Sequence, residues 1–139
     1  MSSQRRFAEE KVGVRSMLSA AWVAVLLLFA YGDIFGFFVP GRIDEVVGGE
    51  VAGMKITQPF LFAVSVYVAI AAVMVVVSLT LPPRICRWAS VVLAALYIVS
   101  IVASAIGEDA YFLFLSTAEC VLLLVIIRRA WMWPTEIRN

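Results

Sequence analysis

The sequence predicts an all-α, polytopic membrane protein: a four-transmembrane-helix bundle forming a single domain over 1–139. Three observations carry this. Hydrophobic residues fill 63% of the 139 positions and charged ones only 15%, where a soluble domain is about half apolar and a quarter charged. The apolar residues gather into four runs, 17–38, 60–81, 88–106 and 111–127, each close to the ~20 residues that cross a bilayer. Ionisable side chains are nearly confined to the breaks between those runs.

The first run follows Arg5, Arg6, Lys11 and Arg15, a basic start that resembles a secretory signal. The run is too long and too bulky at its end (Phe35, Phe37, Phe38) for cleavage and has no small-x-small site, so it is expected to remain as the first helix. Pro40-Gly41 ends it. The first loop, of about 20 residues, has its own pattern: Ile43, Val46, Val47, Val51 and Met54 recur at spacings of three and four, with Asp44, Glu45 and Glu50 off that stripe. This predicts a short interfacial helix, broken at Gly48-Gly49, serving as a surface connector or as a lid. Thr57-Gln58-Pro59 is a cap followed by a first-turn proline, opening the second span. The remaining loops, 82–87 and 107–110, are short enough to make the second, third and fourth helices consecutive antiparallel neighbours.

Orientation follows from the basic residues, which gather on the cytoplasmic side. Nine of the eleven Lys and Arg lie in the N-terminal tail, the second loop (Arg84, Arg87) and the C-terminal tail (Arg128, Arg129, Arg138). The other side holds only Arg42 and Lys55, against Asp44, Glu45, Glu50, Glu108 and Asp109. Both termini are therefore expected in the cytoplasm, the first loop outside, and the protein in the cytoplasmic (inner) membrane. All four tryptophans, Trp22, Trp88, Trp131 and Trp133, fall near the inner boundary, where interfacial anchoring is expected of them.

Composition also excludes chemistry. With no histidine, haem–His ligation, His-based zinc sites and Ser-His or Cys-His catalysis are ruled out within this chain. A net charge of +1 leaves no footprint for nucleic acid. Cys86, in the second loop, and Cys120, inside the fourth span, are expected more than ~10 Å apart, too far for a disulfide. No metal and no cofactor is expected.

Two residues stand out because an ionisable group in hydrocarbon is expensive: Asp33 in the first span and Glu119 in the fourth. Neither has an intramembrane Lys, Arg or His. Each is left to hydrogen-bond a neighbour, reach a loop cation such as Arg42 or Lys55, or bind a proton or cation from outside. Asp33 lies inside Gly32-Asp33-Ile34-Phe35-Gly36, the GxxxG spacing that lets helix backbones approach closely, so Gly32 and Gly36 are expected to pack against a helix. Tyr67 and Tyr97 fall at depths close to Glu119, which predicts a tyrosine–carboxylate hydrogen bond. Ser116 is one turn from Glu119.

Tyr31-Gly32-Asp33-Ile34, Pro40-Gly41, the mid-membrane Glu119 and Ala130-Trp131-Met132-Trp133-Pro134 resemble an uncharacterised family of small bacterial four-helix membrane proteins, distantly DoxX-like. The resemblance spans nearly the whole chain and adds Tyr31 to Asp33 and Glu119 as residues of interest, without implying a reaction. Three functions follow. The first is a non-catalytic, self-associating bundle or accessory subunit whose partners are membrane lipid and further copies of itself. The second is a proton-coupled transport or efflux unit that uses Glu119 and Asp33 on a small cationic or apolar ligand. The third, an intramembrane lipid- or quinone-acting enzyme, has no nucleophile–base pair to support it.

Overall fold

A computed structural model describes residues 11–134. Arg5, Arg6 and Arg138, which enter the charge argument, lie outside the described residues. In chain order the elements are α1 (Val14–Gly36), α2 (Arg42–Val47), β1 (Glu50–Val51), β2 (Met54–Lys55), α3 (Gln58–Thr80), α4 (Pro83–Ser104) and α5 (Ala110–Trp131). Helices α1, α3, α4 and α5 are 22 or 23 residues long and apolar enough to cross a membrane. At 1.5 Å per residue each spans ~33 Å, the thickness of the hydrocarbon core with a little to spare. The protein is a multi-pass membrane protein.

The helices outrun their hydropathy limits at several ends. The largest correction is at α4, which begins at Pro83 rather than near residue 88. Proline at the first helical position is pre-set for the helix and loses no hydrogen bond there, so Arg84, Cys86 and Arg87 are helical and the second loop shrinks to Leu81 and Pro82. The Thr57 side chain accepts from the Phe60 N–H at 3.3 Å and caps α3. Within the first loop, α2 leaves Ile43 and Val47 exposed. A two-residue hairpin, β1 with β2, pairs Glu50 with Lys55 and Val51 with Met54.

Helix α1 packs against both α3 and α5, and α5 packs against α4; α3 and α4 approach each other less closely than any of these pairs despite the short link between them. The two ends of the molecule differ. Toward the end that carries both tails, Leu18, Trp22, Val25, Met74, Cys86 and Ile126 are buried. There the Ser19 hydroxyl donates to the Val75 carbonyl at 3.0 Å, and the Arg15 guanidinium donates to the Leu79 carbonyl at 2.9 Å. The second of these satisfies one of the carbonyls that the C-terminus of α3 leaves unpaired, with a cation where the helix dipole favours one.

Toward the first-loop end the packing loosens. Every buried residue of α3 (Ala71, Met74, Ser78) lies in its second half, and between residues 58 and 70 only Phe60 and Tyr67 are even partly covered. Arg42 and Glu108 close this end with an ion pair at 3.0 Å, linking the start of α2 to the turn between α4 and α5.

Trp22 corrects the reading of an interfacial belt. It is fully buried among the helices, set edge-on to Tyr97 with ring centroids 5.8 Å apart. Trp88 and Trp131 are about half exposed and pack edge-to-face on each other at 6.0 Å. Cys86 and Cys120 are free thiols, and Cys86 is a core residue rather than a loop residue.

Candidate functional site

At mid-bundle three aromatic rings meet. Phe29 of α1 lies 5.7 Å from Tyr67 of α3 and 5.8 Å from Tyr97 of α4, and the two tyrosines are edge-to-face at 4.6 Å. Their polar ends form a closed set. The Ser100 hydroxyl donates to the Tyr97 carbonyl at 2.8 Å, so its oxygen is left to accept from the Tyr67 hydroxyl at 2.7 Å. The Tyr97 hydroxyl donates to the Tyr67 carbonyl. Both phenols are thus spent on a clamp between α3 and α4, which are otherwise loosely packed on each other. The expected tyrosine–carboxylate bond is not made, because a nearer carbonyl and a nearer hydroxyl satisfy both phenols. Ser100 and Phe29 are the residues that sequence reasoning underweighted. Phe29 carried a signal, since it follows Trp22 and Val25 at helical spacing on one face. Tyr97→Phe should remove one clamp bond and cost about 0.6–1 kcal/mol, read as a lower denaturation midpoint in micelles with unchanged helix content.

Glu119 lies on α5, nine residues in from Ala110 and so ~13 Å along the helix. It is 6% exposed, and among the described residues no hydrogen bond or ion pair reaches its carboxyl. Arg42, a candidate loop cation, is committed to Glu108. Glu119 is within electrostatic range of Asp33 and of Tyr67. Ser116, one turn away on the same helix, is also buried.

Asp33 is exposed. It follows Phe29 by one helical turn and lies near the C-terminal end of α1, at the half of the bundle where α3 stands off. The two acids therefore differ in kind: one at the open end, one inside. Tyr31 does not join them; it is 51% exposed and stacks on Phe35 at 5.8 Å, on the outward side of α1.

Gly32 and Gly36 face α5 of their own chain. A Cβ on Gly32 would meet the Leu115 Cδ1 at 3.8 Å, and one on Gly36 the Tyr111 hydroxyl at 3.6 Å. These contacts set the register of the antiparallel pair, Gly36 level with Tyr111 and Gly32 with Leu115. One further turn puts Glu119 opposite Leu28, about 7 Å along the axis from Asp33.

Among the described residues the Trp22 Nε1 and the Ser90 Oγ are buried without a hydrogen-bond partner. Among the described residues no group of three or more Cys, Asp or Glu could hold a metal ion.

Residues 6–138 match a protein family described as a family of unknown function (DUF6326). No curated protein and no solved structure matches the chain.

Proposed function

The chain belongs to the DUF6326 family of unknown function, and from its membrane bundle we propose a carboxylate-centred binding site of a proton-linked transport unit, with Glu119 as the central group and Asp33 at its mouth. One observation carries this reading: Glu119, a residue buried in the bundle, has a carboxyl with no hydrogen-bond or ion-pair partner among the described residues, in the half of the bundle that α3 leaves open. An acid retained for helix packing would be hydrogen-bonded, since an unpaired polar group in hydrocarbon costs what a bonded one saves. The aromatic cluster of Phe29, Tyr67 and Tyr97 lies near the site, with Tyr67 within electrostatic range of Glu119, and cations are attracted to aromatic ring faces. The substrate class is a small cationic or apolar solute, and the protein is not an enzyme in this reading.

The test is infrared difference titration of wild type, Glu119→Gln and Asp33→Asn in lipid, with and without small organic cations. A carboxyl band that titrates, shifts on adding cations and is absent from Glu119→Gln is the expected result. A spectrum indifferent to both pH and cations would sink the proposal.

A second reading, an accessory subunit in the inner membrane with both termini cytoplasmic, has its own supporting observation: the same open half of α3 is long enough to be covered by another protein. The GxxxG face is not open to such a partner, because α5 of the same chain packs on it.

A further inference from the structure

We propose that the tail end of the bundle holds an anionic phospholipid, its phosphate seated in a cavity between the starts of α1 and α4. This site is at the opposite end from Glu119 and is independent of the transport reading. The cavity has a volume of about 1110 Å³ and is lined by Lys11, Arg15, Arg84, Arg87, Trp88 and Trp133, with no acidic residue among the described lining.

Three features converge on an anion. First, both helix N-termini that border the cavity are uncapped. Gly13 before α1 and Pro82 before α4 offer no side-chain cap, and neither helix has an acid in its first turn. The positive ends of two helix dipoles therefore meet there without a counter-charge among the described residues. Second, the cations are uncommitted to acids: among the described residues the one ion pair is Arg42–Glu108, at the far end. Third, the Arg87 Nε is buried with no hydrogen-bond partner among the described residues, while its guanidinium lies 5.1 Å over the Trp131 ring. The Trp131 contact holds the guanidinium beside the cavity that Arg87 lines, where its terminal N–H groups can donate to phosphate oxygens.

Lipid rather than free phosphate is the occupant because of where the cavity sits. It opens where membrane-crossing helices leave hydrocarbon, beside the half-exposed Trp88 and Trp131, at the depth of a headgroup. Basic pockets between transmembrane helices at this level select anionic headgroups.

The full chain is reconstituted in phosphatidylcholine vesicles containing a minor share of brominated phosphatidylglycerol, and quenching of tryptophan fluorescence is followed, since Trp88 and Trp133 line the cavity. Quenching by brominated phosphatidylglycerol should exceed that by brominated phosphatidylcholine at equal mole fraction. R84Q/R87Q should weaken the preference about fivefold for each arginine, the equivalent of ~1 kcal/mol per basic side chain, while R84K/R87K retains most of it. Equal quenching by the two lipids, or an undiminished preference in R84Q/R87Q with native helix content, would overturn the proposal. So would displacement of the lipid by millimolar inorganic phosphate, which assigns the cavity to free phosphate. If anionic lipid binds only after Glu9, Glu10 and Glu136 are changed to Gln, the chain's own acids are the occupant and the proposal falls.

Discussion

Replacing Glu119 with methionine is expected to make the protein more stable, by about 1–3 kcal/mol, and to abolish its response to cations. Methionine matches glutamate in length and volume, so the packing of α5 against α1 is preserved. What changes is the carboxyl of a residue that is 6% exposed, a group with no hydrogen-bond or ion-pair partner among the described residues. That group is costly in either protonation state, and far more so when ionised. Ionised, it is an unpaired charge in a low dielectric; neutral, it is an O–H and a carbonyl with nothing to bond. Glu119→Gln keeps an unpaired polar group in place and should leave stability within about 0.5 kcal/mol of wild type. The order Met above wild type, with Gln beside wild type, is the signature of a residue kept for function at the expense of stability. The measurement is the unfolding midpoint in mixed micelles for the three proteins. A methionine variant less stable than wild type means that Glu119 is bonded in the membrane, and the binding-site reading goes with it.

Much of the architecture was legible because hydrocarbon imposes a length and a composition that a sequence displays directly. The four spans fell within a few residues of α1, α3, α4 and α5, apart from the start of α4 and the end of α5. At α4 two signals conflicted: Arg84 and Arg87 argued for a loop, while Pro82-Pro83 argued for a helix start, and the proline governs backbone geometry where the charges govern only depth. The hairpin at 50–55 gave no usable signal. Its turn places Ala52 at φ 48° and Gly53 at φ 74°, and alanine is a poor marker for a left-handed position that asparagine or glycine normally fills.

The candidate site was half legible. Asp33 and Glu119 stood out by residue type alone, since carboxylates are costly in hydrocarbon. Their surroundings did not, because partners are set by helix rotation and tilt. Tyr67 and Tyr97 have the right depth for Glu119, yet their hydroxyls meet across the α3–α4 gap first. Trp22 has the right position for an interfacial anchor, yet the inward face of α1 includes it. Depth can be counted along a sequence, whereas facing requires the packing of all four helices together.

Gly32→Leu should be the most disruptive single change in the bundle, at about 3 kcal/mol, while Gly32→Ala should be neutral or slightly stabilising. The difference follows from distance. A β-carbon at Gly32 would stand 3.8 Å from the Leu115 Cδ1, which is ordinary van der Waals contact, and it would relieve the helix of part of the glycine penalty of about 1 kcal/mol. A leucine side chain extends past that contact into the space Leu115 already fills. Helices in lipid gain nothing from burying apolar area against each other, so close packing itself holds α1 to α5, and a side chain that forces them apart removes it along several turns. Leu115 lies one turn from Glu119, so the displacement also moves the carboxyl. Denaturation midpoints for Gly32→Ala, Gly32→Leu and Gly36→Leu, measured at several protein concentrations, test this. The expected loss is the same at every concentration, because both helices belong to one chain. A loss that grows on dilution, with cross-linking yields falling in step, would mean that the glycines face a second copy and that the α1–α5 register drawn from Leu115 and Tyr111 is wrong.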